Sequence, residues 1–262
     1  MDNFRQLGTA IVLVLLAHFY TPIFCQRPAA APALPAAPAP IVEPHTPTTH
    51  ILTGAERNEF RIESAGNEYL RIRSAQREVA LNVILRAPDG REILKNNSNG
   101  RLEQLVFSAL ATDPGTYYLV LENPAKPTAP YNSFTITIEE QRTASPDDIK
   151  RVAMERTVLE AEQLRVQGSI ESTIKAIQAY EATLPFWRQI GSRREEANIL
   201  TTLGQLQASI GQTEKALLYL NQALSVWKTS GDLYQTASTF SAIGLIYNRL
   251  DKKLEALENF QE

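Results

Sequence analysis

Between residues 50 and 141 apolar and polar side chains alternate with a period of two. Phe60 and Ile62 are flanked by charges, Leu70 and Ile72 sit between Tyr69, Arg71 and Arg73, and Val79, Leu81, Val83 and Leu85 form a longer run of the same kind. Such alternation puts apolar side chains on one face of a strand. Pro88-Asp89-Gly90 turns the chain, and 96–100 supplies a second turn. Further strands are predicted around Leu105-Val106-Phe107, Tyr117 to Leu121 and Phe134 to Ile138. Short strands separated by turn residues predict an antiparallel β-sandwich over 50–142. The pattern changes at Ser145-Pro146-Asp147-Asp148, where a proline followed by two acids suits the first turn of a helix. From Ile149 to the end the period is helical, with Pro185 the one proline.

Within 147–262 the pattern repeats every 40 residues. Trp187 and Trp227, Gly191 and Gly231, Gly204 and Gly244, and Ala216 and Ala256 are all 40 apart. The small residues mark places where two helices approach closely, and Gly211 and Asp251 fall at the tight turn between those helices, where a left-handed backbone is expected. Leu200-x-x-Leu203-Gly204 and Phe240-x-x-Ile243-Gly244-x-x-Tyr247, followed by Ala216-x-x-x-Leu220 and Ala256-x-x-x-Phe260, resemble the first and second helices of the tetratricopeptide repeat. A degenerate first copy has Ala161 in the close-packing place, Gly168 at the turn, and Ala176 and Tyr180 in the second helix. The region is thus expected to hold about three repeats, the last incomplete. Trp187 and Trp227 are expected to pack between repeats rather than to stack on a ligand.

The sandwich has a resemblance of its own. Leu52-x-Gly54, Pro88-Asp89-Gly90, Asp113-Pro114-Gly115-Thr116-Tyr117-Tyr118 and Tyr131-x-x-Phe134-x-Ile136 look like the bacterial pre-peptidase C-terminal domain. That resemblance implies a small jelly-roll of exported proteins, with accessory protein- or carbohydrate-binding roles.

Export is also what the N-terminus predicts. Ala10 to Ala17 is a compact apolar core after Arg5, and Ile23 and Cys25 fit a cleavage site, so 1–25 reads as a signal peptide. An uncleaved anchor is the alternative, although His18 and Pro22 interrupt the run. Residues 26–49 carry a proline every two to four positions and read as an extended, coreless spacer. Cys25 is the one cysteine, which excludes an intrachain disulfide. Charge is even along the chain: 49–142 holds 11 basic and 12 acidic side chains, 147–262 holds 13 and 15. Without a basic face, nucleic acid is not an expected partner. The expected location is the periplasm, the cell envelope or the medium.

Catalytic chemistry finds little to work with. The histidines, His18, His45 and His50, fall in the signal, the spacer and the edge of the sandwich, and no metal-ligand or phosphate-loop spacing occurs. No catalytic, metal or cofactor residue is therefore assigned, and no enzyme is expected. The order of export signal, spacer, sandwich and 40-residue repeats resembles the N-terminal part of bacterial proteins that end in a caspase-like CHAT peptidase. The chain ends at Glu262 without that domain's His and Cys, so no catalytic position carries over. Two readings stay open: a scaffold that binds a peptide or protein in the repeat groove, or the regulatory portion of such a peptidase. By their place relative to Gly204 and Gly244, groove residues are expected at Asn198, Thr201, Gln205, Ser238, Ser241, Asn248 and Arg249, with Glu155, Glu162 and Arg165 in the first repeat. Ile243, Tyr247, Leu254, Leu257 and Phe260 are expected to lack a cover, so that the polypeptide continues, pairs or frays there.

Overall fold

A computed structural model describes residues 39–52, 57–76, 82–97, 104–122 and 132–262. The signal segment, most of the Pro/Ala stretch, Val79, Leu81, the end of the 96–100 turn, Gly54 and Tyr131 lie outside the described residues.

Eight strands form two antiparallel sheets. They are β1 (Thr48–Leu52), β2 (Arg57–Ser64), β3 (Glu68–Gln76), β4 (Asn82–Arg86), β5 (Glu92–Asn97), β6 (Gln104–Ala111), β7 (Gly115–Glu122) and β8 (Asn132–Thr143). The sheet orders are β1-β8-β3-β6 and β2-β7-β4-β5, the arrangement of a jelly roll. Alternation explains the pairing, because register must keep every apolar set on the inner face. Phe60 stands opposite Leu119 and Ile62 opposite Tyr117, and all four are buried. Phe60 of one sheet meets Phe134 of the other edge-on, with ring centres 5.9 Å apart. Pro88 to Gly90 turns as read: the Gly90 N–H donates to the Ala87 carbonyl at 2.9 Å, and Gly90 has a φ of 84°. The β3–β8 register shifts at Arg71/Ile72, a β-bulge that re-aims the outer face.

Residues 39–47, read from the sequence as spacer, correct that reading. The Val42 N–H donates to the Arg61 carbonyl at 2.9 Å, the His45 N–H donates to the Ile138 carbonyl at 2.8 Å, and Val42 is buried in the sandwich core. Proline cannot donate to a ladder, but the residues between prolines can, and these backbone bonds with one buried valine hold the stretch against the sandwich.

Six helices follow: α1 (Pro146–Gln167), α2 (Ile170–Gln189), α3 (Arg193–Ser209), α4 (Thr213–Ser230), α5 (Leu233–Arg249) and α6 (Lys253–Gln261). Ser145 begins α1 with a capping box: its hydroxyl accepts the Asp148 N–H, and the Asp148 carboxylate accepts the Ser145 N–H at 2.8 Å. Each helix packs on the next, and α3 lies beside α5. Gly204 faces Leu220 so closely that a methyl group there would lie 2.6 Å from Leu220 Cγ, and Gly244 faces the Phe260 ring in the same way. Gly211 and Asp251 turn with φ of 79° and 59°. The fold is an antiparallel jelly roll followed by a helical solenoid.

One part of the expected uncovered face is covered. Ile243 is buried with Ala216 and Leu220, because it points back at α4 rather than onward. Leu254, Leu257 and Phe260 are exposed, while Tyr247 is half-buried against the same cluster.

Candidate functional site

The surface predicted for binding lies on α1, α3 and α5, the first helices of the three pairs. Asn198, Gln205, Ser238, Ser241, Asn248 and Arg249 are exposed there. Ser241 turns its hydroxyl to the Ala237 carbonyl at 3.0 Å, and Asn248 accepts the Lys253 ammonium at 3.1 Å. Thr201 is half-buried and spends its oxygen on packing: it donates to the Ala197 carbonyl at 2.9 Å and accepts the Trp227 indole N–H at 3.2 Å. Glu162 and Arg165 pair with each other, and Tyr180 donates its hydroxyl to Glu162 at 2.8 Å. Arg165, with Tyr180 behind it, holds the Glu162 carboxyl below its ordinary range.

Glu155 corrects the prediction. Its carboxylate accepts the Ser108 N–H at 2.8 Å and the Ser108 hydroxyl at 3.1 Å, so it is tied to β6 instead of facing an open groove. The reason is that the middle of α1 lies against β6. Burial pushes the Glu155 carboxyl up, against the pull of the Ser108 hydrogen bonds and of Arg151 and Arg71. The start of α1 is fastened as firmly. Arg142, at the end of β8, reaches both oxygens of Asp148 at 2.5 and 2.9 Å and lies 4.9 Å from the Tyr69 ring centre. Tyr69 is consequently buried, with its hydroxyl 2.8 Å from Ser108 Oγ.

This junction leaves a cleft of ≈ 710 Å³ between the edge strands β5 and β6 on one side and α1 and α3 on the other. Consecutive residues of both strands line it, Ile93 to Asn96 and Val106 to Leu110, so the strand edges themselves form the wall. Apolar Val152, Val158, Leu159 and Ile199 face them, and Trp187 completes the helical side. The two tryptophans are both buried, as expected for packing, but they are not equivalent. The Trp227 N–H bonds Thr201, which stands three residues before Gly204, whereas three residues before Ala161 stands Val158, which offers no acceptor. The Trp187 N–H is buried without a hydrogen-bond partner among the described residues.

The periodicity has a counterpart among known families. Residues 171–229 match the tetratricopeptide repeat. This stretch runs from α2 to the end of α4. No curated protein matches the sequence. Solved structures similar to parts of the chain include the tetratricopeptide domain of Arabidopsis FLU, at 16% identity over 41% of this chain and 92% of that one, with a TM-score of 0.37. The pre-peptidase C-terminal domain of the Bacillus anthracis collagenase matches at 15% identity over 38% of this chain and 94% of that one, with a TM-score of 0.32. PliG of Aeromonas hydrophila, a periplasmic inhibitor of g-type lysozyme, matches at 14% identity over 38% and 96%, with a TM-score of 0.29.

Neither the cleft nor its residues follow from periodicity. The one signal in the sequence is the loss of Thr201's counterpart in the first repeat, which strands the Trp187 N–H.

Proposed function

We propose that this protein is a non-enzymatic scaffold that binds a protein or peptide along the first-helix surface of its tetratricopeptide repeats. The observation that carries the reading is the repeat match over 171–229, joined to a surface on α3 and α5 where Asn198, Gln205, Ser238, Ser241 and Arg249 are exposed beside Leu245 and, among the described residues, are in no ion pair. Polar, adaptable side chains on rigid helices suit recognition of a partner backbone. The place of action is outside the cytoplasm, a reading supported by the apolar run at 10–17 and the Pro/Ala stretch that follows.

A photo-crosslinking amino acid at Gln205 or Ser241, in cells of the source organism, tests the surface. Both positions should trap the same protein, while Lys215 on the exposed side of α4 should trap none. Trapping from Lys215 but not from Gln205 or Ser241 would place the interaction on the opposite surface and sink the reading.

A further inference from the structure

We propose that the cleft at the sandwich–helix junction binds an extended peptide, which joins the outer edge of β6 as an added strand. The inference does not rest on the first-helix surface of α3 and α5: of the residues named there only Asn198 lines the cleft, and Gln205 and Ser241, where that surface is tested, do not.

The edge comes first. Among the described residues β6 pairs only with β3, and its register is unbroken. The Ser108 N–H points away from β3, since it is Glu155 that receives it. Backbone groups alternate along a strand, so the N–H and C=O of Val106 and Leu110 point the same way. No hydrogen bond reaches them among the described residues. An edge strand of this kind is normally blunted by a charge, a proline or a covering element. Here the cover, α1, lies against the middle of the strand, where Glu155 takes the Ser108 N–H, and an added strand must displace that carboxylate to pair along the whole edge. That carboxylate occupies the place where the carbonyl of a neighbouring strand would accept the Ser108 N–H.

The opposite wall asks for the same ligand. Trp187 is 1% exposed, and its indole N–H has no acceptor. A strand added to β6 has carbonyls on its far edge as well, directed at the helical side, and a backbone carbonyl is the acceptor an indole N–H lacks. Between the walls, Ile93, Val106, Leu110, Val158 and Leu159 form an apolar lining for alternate side chains. The volume lies within the range of ligand sites. Charge selects the ends. Neither Lys95 on β5 nor Arg156 on α1 is in an ion pair among the described residues, but the α1 wall also carries Glu160 and Glu155, which leaves the β5 end the more positive. The occupant is therefore an extended, mainly apolar peptide segment with an acidic residue at the β5 end. Main-chain pairing would supply the affinity and the lining the specificity.

The test uses the full chain and a blocked octapeptide of alternating valine and threonine ending in aspartate, beside the same peptide with a central proline. The two tryptophans give two indole N–H resonances in nitrogen-correlated NMR, assigned with Trp187→Phe. The alternating peptide should move the Trp187 resonance, leave the Trp227 resonance in place, and slow hydrogen exchange at Val106 and Leu110. The proline peptide should do neither. Val106→Pro removes one outward donor at an edge position that tolerates proline, and should weaken binding about tenfold, the worth of one good hydrogen bond. Should that variant lose the Trp227 resonance and so its fold, Val158→Thr takes its place: it gives Trp187 the acceptor that Thr201 gives Trp227, and should also weaken the peptide. Absence of binding, equal binding of the proline peptide, or unchanged affinity in the folded variant would each overturn the proposal.

Discussion

Leu220 and Phe260 hold the same place in successive repeats, and each leaves room for a hydrogen atom only on the glycine it faces. A methyl group at Gly204 would lie 2.6 Å from Leu220 Cγ and 3.1 Å from the Ala216 carbonyl; one at Gly244 would meet the Phe260 ring first, at 2.7 Å. Leu220 is wholly buried and cannot move, whereas Phe260 is 49% exposed and its ring can swing out. Alanine gains up to about 1 kcal/mol over glycine in a helix, and overpacking costs roughly 1–3 kcal/mol. Gly204→Ala should therefore destabilise by about 1–2 kcal/mol, while Gly244→Ala should be near neutral. Urea unfolding followed by tryptophan fluorescence reads both. Asp148 offers a second case at this scale. The Arg142 guanidinium, with help from Ser145, holds its carboxyl down at about 2, from 3.8. A depressed carboxyl stabilises the fold at pH values above its ordinary range, and the contribution is lost as pH falls from about 4 through 2. Arg142 is half exposed, so solvent reduces the effect to about 1–2 kcal/mol. Asp148→Asn should cost that much at pH 7 and progressively less below pH 4; a deficit that does not shrink in acid would mean the charge is not its source.

Among the helices, α6 is the least anchored. It buries Ala256 alone, and Leu254 is 75% exposed, whereas α4 buries Ala216, Leu220, Ala223 and Trp227. Local opening follows buried contacts, so amides of α6 should exchange faster than those of α4 by several orders of magnitude; equal protection in a demonstrated monomer would contradict this. The helices and strands were legible because each is written in its own period, and the pairs Gly204–Leu220 and Gly244–Phe260 could be placed from a 40-residue offset. What periodicity does not carry is contact between elements of different kinds. Tyr69 sits on the polar side of its strand's alternation, yet it is buried, because Arg142 and Ser108 converge on it. Glu155 has a helix-surface position, and only the neighbourhood of β6 turns it inward. Val42 lay hidden in a proline pattern that otherwise means extended chain. The candidate cleft was illegible for the same reason, since its walls come from two domains with separate periods.

At the scale of the whole molecule, the sandwich and the repeats meet through α1, held at its first turn by Arg142–Asp148 and at its middle by Ser108–Glu155. The second contact is a buried carboxylate, and its sign is the reverse of the first. Because burial raises the Glu155 carboxyl, the folded state holds its proton more tightly than the unfolded chain does. Stability from this group is therefore greatest below the ordinary carboxylate range, falls as pH rises through it to the raised value, and stays lower above. Glutamine keeps an acceptor for the Ser108 N–H and carries no charge. Glu155→Gln should accordingly match or exceed the wild-type stability at pH 7, and the difference should close near pH 4. Glu155→Ala differs, because it leaves the Ser108 N–H unpaired at a cost of about 1–3 kcal/mol, and it removes one of the two ties between the domains. Both tryptophans lie in the helices, so fluorescence reports the repeats, while hydrogen exchange at Phe60 to Ile62 reports the sandwich. In wild type the two should unfold at one urea concentration, and in Glu155→Ala the repeats should unfold first. If Glu155→Gln were less stable than wild type at pH 7 by as much as Glu155→Ala, the charge itself would be holding the junction, and the account of a buried acceptor would fail.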